Sequence, residues 1–192
     1  MMRILILQGH PDEESLCASL GRSYHEGAKE AGHECRLLSL RDMTFDPNLA
    51  HGYRQIQPLE PDLVKAQEWI SWCEHLVVIY PIWWGQMPAL LKGFFDRCFL
   101  PGWAFKYHKN DPFWDRLLSG RSAHLIVTSD GPVLYNILAY WDSPVTVTRK
   151  MILRFCGFKP VRVSRIGSIK YTDDHKRRKI LERFRKIGMR GR

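Results

Sequence analysis

At 192 residues the chain is long enough to bury a core without disulfides or metal, and its five cysteines, Cys17, Cys35, Cys73, Cys98 and Cys156, are odd in number and form no C-x-x-C pair. That argues against a disulfide framework or a zinc site and predicts a reducing, cytoplasmic setting. The formal charge of +9 is concentrated at one end, because residues 176–192 carry nine Lys or Arg against Glu182 alone.

Apolar runs bounded by turn residues predict strands over 3–8, 34–40, 75–80, 122–128 and 161–166, with helices between them and after the last. Strands separated by helices specify an α/β fold: a doubly wound, five-stranded parallel sheet with helices on both faces, since right-handed crossovers place them there. The chain reads as one domain, 1–192, with a basic helix from about 173. No apolar stretch has the length and flanks of a signal peptide or a membrane span.

The first turn, Gly9-His10-Pro11-Asp12-Glu13-Glu14-Ser15, leads from strand to helix. Its backbone N–H groups and the positive helix end suit a phosphate, and Ser15 serves there as a hydroxyl donor or as the helix N-cap. The segment is neither a Walker A loop nor G-x-G-x-x-G, which disfavours a P-loop NTPase and an ordinary dinucleotide-binding domain. The connections 41–61 and 100–120 are long, as lids or partner contacts are.

After the third strand stands Pro81-Ile82-Trp83-Trp84-Gly85, and Pro88 opens the next helix. Ligands of open parallel sheets bind outside the carboxyl ends of the strands, so two tryptophans there form either a wall for a flat aromatic cofactor or plain core packing. The basic final segment is a solvated face, an attractor of phosphorylated cofactors, or a peripheral contact for anionic membrane. Without a reading motif it implies no specific nucleic-acid partner.

Four segments in order resemble the flavodoxin-like NAD(P)H:quinone oxidoreductases of the DT-diaphorase type and their bacterial relatives: Gly9-His10-Pro11 with Ser15; Pro81-Ile82-Trp83-Trp84 with Pro88-Ala89-Leu90-Leu91-Lys92-Gly93 and Asp96-Arg97; Gly102-Trp103-Ala104-Phe105; and Phe155-Cys156-Gly157-Phe158. The resemblance runs nearly end to end. It implies a flavodoxin-like fold binding FAD, or FMN, with NAD(P)H as co-substrate and two-electron ping-pong hydride transfer to a quinone or similar small acceptor, and no metal. It places His10, Ser15, Leu16 and Cys17 around the flavin phosphates and Pro81, Ile82, Trp83, Trp84 and Gly85 against the isoalloxazine ring. Thr128, Ser129, Asp130 and Gly131 fall at the pyrimidine edge, and Arg177 at the adenylate end of FAD.

By the same resemblance Tyr135 assists hydride transfer beside the flavin, while Phe105 and Tyr107 are aromatics that the second subunit of a homodimer lends to the substrate pocket. Three positions depart from the family pattern. Thr128-Ser129-Asp130-Gly131 stands where Thr-Thr-Gly-Gly is expected, and Trp141, also assigned to the substrate pocket, replaces a histidine six residues after Tyr135. A flavodoxin-like electron carrier or flavin-binding regulatory subunit is the alternative reading, against which the aromatic loop 102–114 and the basic charge favour an enzyme.

Overall fold

The computed structural model describes residues 1–191. Five parallel strands form the sheet: β1 (Arg3–Gln8), β2 (Glu34–Ser39), β3 (His75–Pro81), β6 (Ser122–Thr128) and β7 (Val161–Ile166), in the order β2-β1-β3-β6-β7. A separate antiparallel hairpin is made by β4 (Phe105–Tyr107) and β5 (Trp114–Arg116). The helices are α1 (Leu16–Glu30), α2 (Pro61–Trp72), α3 (Ala89–Cys98), α4 (Val133–Tyr140), α5 (Ser143–Thr146), which runs on as π-helix over Val147–Arg154, and α6 (Asp174–Met189).

The apolar strand runs are explained by burial on both faces, because successive side chains alternate across the sheet. Leu5, Leu7, Leu76, Val78, Tyr80, Leu125 and Val127 face one core with α2, α3 and the π-helical segment. Ile4, Ile6, Val77, Ile79 and Ile126 face the other, with α1 and α6. The helices of the second layer touch backbone to backbone. A Cβ added at Gly27 would lie 1.9 Å from the Arg185 carbonyl oxygen, and one at Gly188 would lie 2.2 Å from that of Tyr24, so neither position accommodates a side chain. The Arg185 guanidinium also donates to Glu30 across 155 residues at 2.7 Å.

The long connections are anchored to the body of the domain by residues within them. Arg97 on α3 is fully buried, and its guanidinium donates to the Pro58 carbonyl at 2.9 Å, to the Glu60 carboxylate at 2.8 Å and to the Asp46 carbonyl. The limbs of the first connection are thereby held to the core. In the second, Trp114 stacks on Phe155 with ring centroids 4.4 Å apart and its indole N–H donates to the Phe155 carbonyl at 2.9 Å. Phe105 packs edge-on to the same Phe155 at 5.0 Å and is 6% exposed. Phe105 is therefore packed into the core of its own chain, whereas Tyr107 beside it is exposed.

Candidate functional site

The strand order reverses between β1 and β3, and the turns that follow these two strands enclose a cleft of about 160 Å³ at their carboxyl ends. His10, Ser15, Leu16, Cys17, Pro81, Ile82, Trp83, Thr128, Ser129 and Asp130 all line it, together with Ile169. That volume is below the roughly 300–1,000 Å³ of ordinary small-molecule sites, so a larger ligand lies partly outside the cleft, under whatever covers its mouth.

The phosphate-competent end is built by α1. Ser15 is its N-cap: its hydroxyl accepts from the Ala18 N–H at 3.2 Å and donates to the Asp12 carbonyl at 2.7 Å. Of the two roles open to Ser15 the structure shows the cap, with its proton already committed. The N–H groups of Leu16 and Cys17, the first in the helix, have no acceptor among the described residues and remain available to an anion. The Cys17 thiol itself is buried against the Thr128 hydroxyl at 3.3 Å, and burial pushes it up to about 11, so this residue offers backbone and not a thiolate.

His10 is held by two contacts: its backbone N–H donates to the Gln8 side-chain oxygen at 2.8 Å, and its ring Nδ1 accepts from the Asp12 N–H at 2.9 Å. Burial lowers its pKa against the opposing pull of Asp12, which favours the neutral ring. With Nδ1 occupied as an acceptor, the neutral ring carries its proton on Nε2 and is a hydrogen-bond donor there. The ring lies edge-on to Trp83 at 5.2 Å.

The tryptophan turn is a tight one. Trp83 and Gln86 exchange both backbone hydrogen bonds, at 2.8 and 2.9 Å, while Trp84 and Gly85 between them have φ of 49° and 72°. Positive φ at both central residues is the type I′ geometry; glycine meets it freely, whereas tryptophan is strained by about 1–2 kcal/mol. Trp83 is half-exposed at the cleft, and Trp84 projects wholly into solvent. The turn's apical N–H groups, those of Trp84 and Gly85, make no hydrogen bond within the described residues.

On the facing side, Ser129 N–H donates to the Ile166 carbonyl at 2.9 Å, and Ile169 N–H donates back to Ser129 at 3.3 Å. This bracing brings Ile169, which sequence reasoning missed, to the cleft. Asp130 is exposed, and its carboxylate has no hydrogen-bond or ion-pair partner among the described residues. Gly131, Tyr135, Trp141 and Arg177 do not line the cleft. Gly131 supports the turn through the Ser129 hydroxyl, which donates to its carbonyl at 2.9 Å. Tyr135 and Trp141 belong to α4, which has no buried residue and exposes Leu134, Tyr135, Leu138 and Tyr140 as well as Trp141 at its end. Arg177 lies in the first turn of α6, donating to the Thr172 carbonyl, beside a shallow groove lined by Ser168, Tyr171, Thr172 and Lys176. No cluster of metal-ligating side chains occurs, and no helix is long and apolar enough to cross a membrane, among the described residues.

The donors suit a phosphate, and the indole wall suits a planar ring, so the residues present fit a flavin nucleotide. Comparison with known proteins points the same way. A ribosyldihydronicotinamide dehydrogenase-like protein, traD, of Penicillium crustosum is 30% identical over 68% of this chain, which spans 58% of that relative's length. NAD(P)H dehydrogenase [quinone] 1 of Rattus norvegicus is 26% identical over 96% of this chain and 75% of its own. The solved structure of an NAD(P)H:quinone oxidoreductase from Methanothermobacter marburgensis superposes with a TM-score of 0.81 at 26% identity, covering 100% of this chain and 99% of that one. A family model described as the flavodoxin-like fold matches residues 2–187. With this sheet order, this switch-point cleft and relatives named as NAD(P)H oxidoreductases, the chain belongs to the flavodoxin-like fold family.

Proposed function

We propose that this protein is a flavin-dependent NAD(P)H oxidoreductase that passes two electrons to a quinone or similar small acceptor. The observation that carries the reading is the meeting, at one switch point, of free helix N-terminal N–H groups with a tryptophan-lined cleft. The names of the relatives supply the reaction class. A bound flavin would supply the acceptance and donation of hydride, and the protein supplies position and electrostatics. The Leu16 and Cys17 N–H groups and His10 Nε2 would hold the phosphate. Trp83 bounds the ring, and the apical N–H groups of Trp84 and Gly85 are free to bond its polar edge. The groove beside Arg177 is lined by Ser168, the neighbour in sequence of the cleft residue Ile169, and a seat there for an adenylate half favours FAD over FMN.

One cleft serving both the nucleotide and the acceptor accounts for ping-pong order, since the two occupy it in turn. The exposed apolar surface of α4 follows directly on the 129–132 turn, and a second copy of the chain covering it would complete the shallow site. Tyr135, Tyr107 and Trp141 are exposed, and we propose that the second copy meets them. The test is cofactor release from purified protein with identification by mass, followed by anaerobic mixing with NADH or NADPH and then with a small quinone. Bleaching and recovery of the flavin absorbance are expected. A flavin-loaded protein that neither nucleotide reduces would favour the carrier or regulatory reading, and a protein without affinity for FAD or FMN would remove both.

A further inference from the structure

β7 is an edge of the sheet, and its free side is open. The Ala123 N–H donates to the Pro160 carbonyl and the Ser129 N–H to that of Ile166, each at 2.9 Å. By the alternation of a parallel ladder, the carbonyl of Pro160 and the amides of residues 162, 164 and 166 face β6, and the amides of Val161, Val163 and Arg165 face outward. None of the outward groups has a hydrogen-bond partner among the described residues. Beside them runs an open groove of about 830 Å³, formed by β7, by Arg149 of the π-helical segment and by Ile187 and Arg190 near the end of α6.

The groove has one sign of charge. Arg149, Arg162, Arg165 and Arg190 line it with no acidic residue, and among the described residues only Arg165 is ion-paired, to Asp142. Two buried polar atoms of its lining residues, Arg149 Nε and His124 Nδ1, lack partners among the described residues. His124 is 4% exposed, and its other ring nitrogen is taken by the Ser164 hydroxyl at 2.8 Å. Charge along a sheet edge commonly guards against pairing with another chain. Here the guard is selective. It repels a second copy of this same edge, yet it attracts a strand bearing carboxylates, which would satisfy the outward amides and neutralise the arginines together.

We infer that the β7 edge docks an extended acidic segment of a partner protein, which adds to the sheet as a sixth strand. Main-chain pairing to Val161, Val163 and Arg165 gives register, and carboxylates meeting Arg149, Arg162 and Arg190 give selectivity. The site lies away from the cleft and does not depend on the redox reading.

The probe is a fluorescein-labelled octapeptide of alternating Glu and Val, titrated with purified protein while anisotropy is recorded. It should bind, the same peptide with Lys for Glu should not, and the surface variant Arg162→Glu should weaken binding about tenfold or more. Two further peptides, N-methylated at one or the other alternate set of amides, separate strand pairing from charge alone: one set should abolish binding and the other leave it. Equal behaviour of the two methylated peptides overturns the inference. So does binding unchanged in Arg162→Glu, or binding of phosphatidylserine vesicles with none of the peptide. Absence of all binding also overturns it and leaves the arginines as edge guards only.

Discussion

Asp130 brings to the cleft a carboxylate that nothing in the described chain neutralises. Two-electron reduction leaves negative charge on the pyrimidine side of a flavin, and a carboxylate about 5 Å away repels it by roughly 1–3 kcal/mol, the range between an effective dielectric of bulk water and one near 20. The exposure of Asp130 places it towards the lower end. For a two-electron couple this depresses the midpoint potential by about 20–65 mV. Asp130→Asn is expected to raise the potential within that range and to speed reduction by NAD(P)H; redox titration of both proteins checks it, and an unchanged potential would show that the carboxylate does not sense the flavin. The cap at Ser15 was legible because a strand-to-helix turn favours a hydroxyl at that position. Phe105 was not, since an aromatic residue in a loop looks the same whether it covers a ligand or a core, and only the position of Phe155, fifty residues on, decides.

Among the elements α4 is the least self-sufficient. An apolar helix with no buried residue is stable only against something, and Leu134, Leu138 and Trp141 are more than half-exposed. If a second copy supplies that cover, Leu138→Glu should turn a dimer into a monomer by light scattering and cut quinone reduction at least about tenfold, a loss consistent with roughly 1.4 kcal/mol or more at the transition state. Retention of the dimer in this variant would place the interface elsewhere. The inner strands β1, β3 and β6 were readable from sequence because burial on both faces makes them nearly continuous apolar runs, whereas the edge strands β2 and β7 carry Arg36, Arg162 and Arg165 among their apolar residues and show a weaker signal. The β4–β5 hairpin was not readable: three-residue strands are too short to show a period. Nor was the anchoring of the first long connection, which depends on the pairing of Arg97 with Glu60, 37 residues apart, and on burial that no local pattern reveals.

Across the whole molecule, two histidines tie stability to pH. Burial, with His124 and Arg162 adding to it, pushes His75 down to about 3, and burial with Arg162 and Arg183 pushes His124 down to about 4. An unfolded histidine titrates near 6.5, so below that pH the unfolded chain takes protons that the folded one refuses. Stability is full above about 6.5 and falls with pH until the folded values are reached, by about 3 kcal/mol between pH 6.5 and 5 for the pair. Urea midpoints across that interval should show the fall, and His75→Gln should remove about half of it; parallel profiles for the two proteins would contradict the assignment. The glycine crossing of α1 with α6 bears on how the molecule is made. Glu30 and Arg185 are separated by 155 residues, and a ribosome adding about 5–20 residues per second needs roughly 10–30 s to produce the second after the first. Through that interval α1 already covers the β1 face carrying Ile4 and Ile6, but the side of α1 around Gly27 waits for its partner, and the nascent chain offers chaperones an incompletely covered apolar layer until α6 arrives with Phe184.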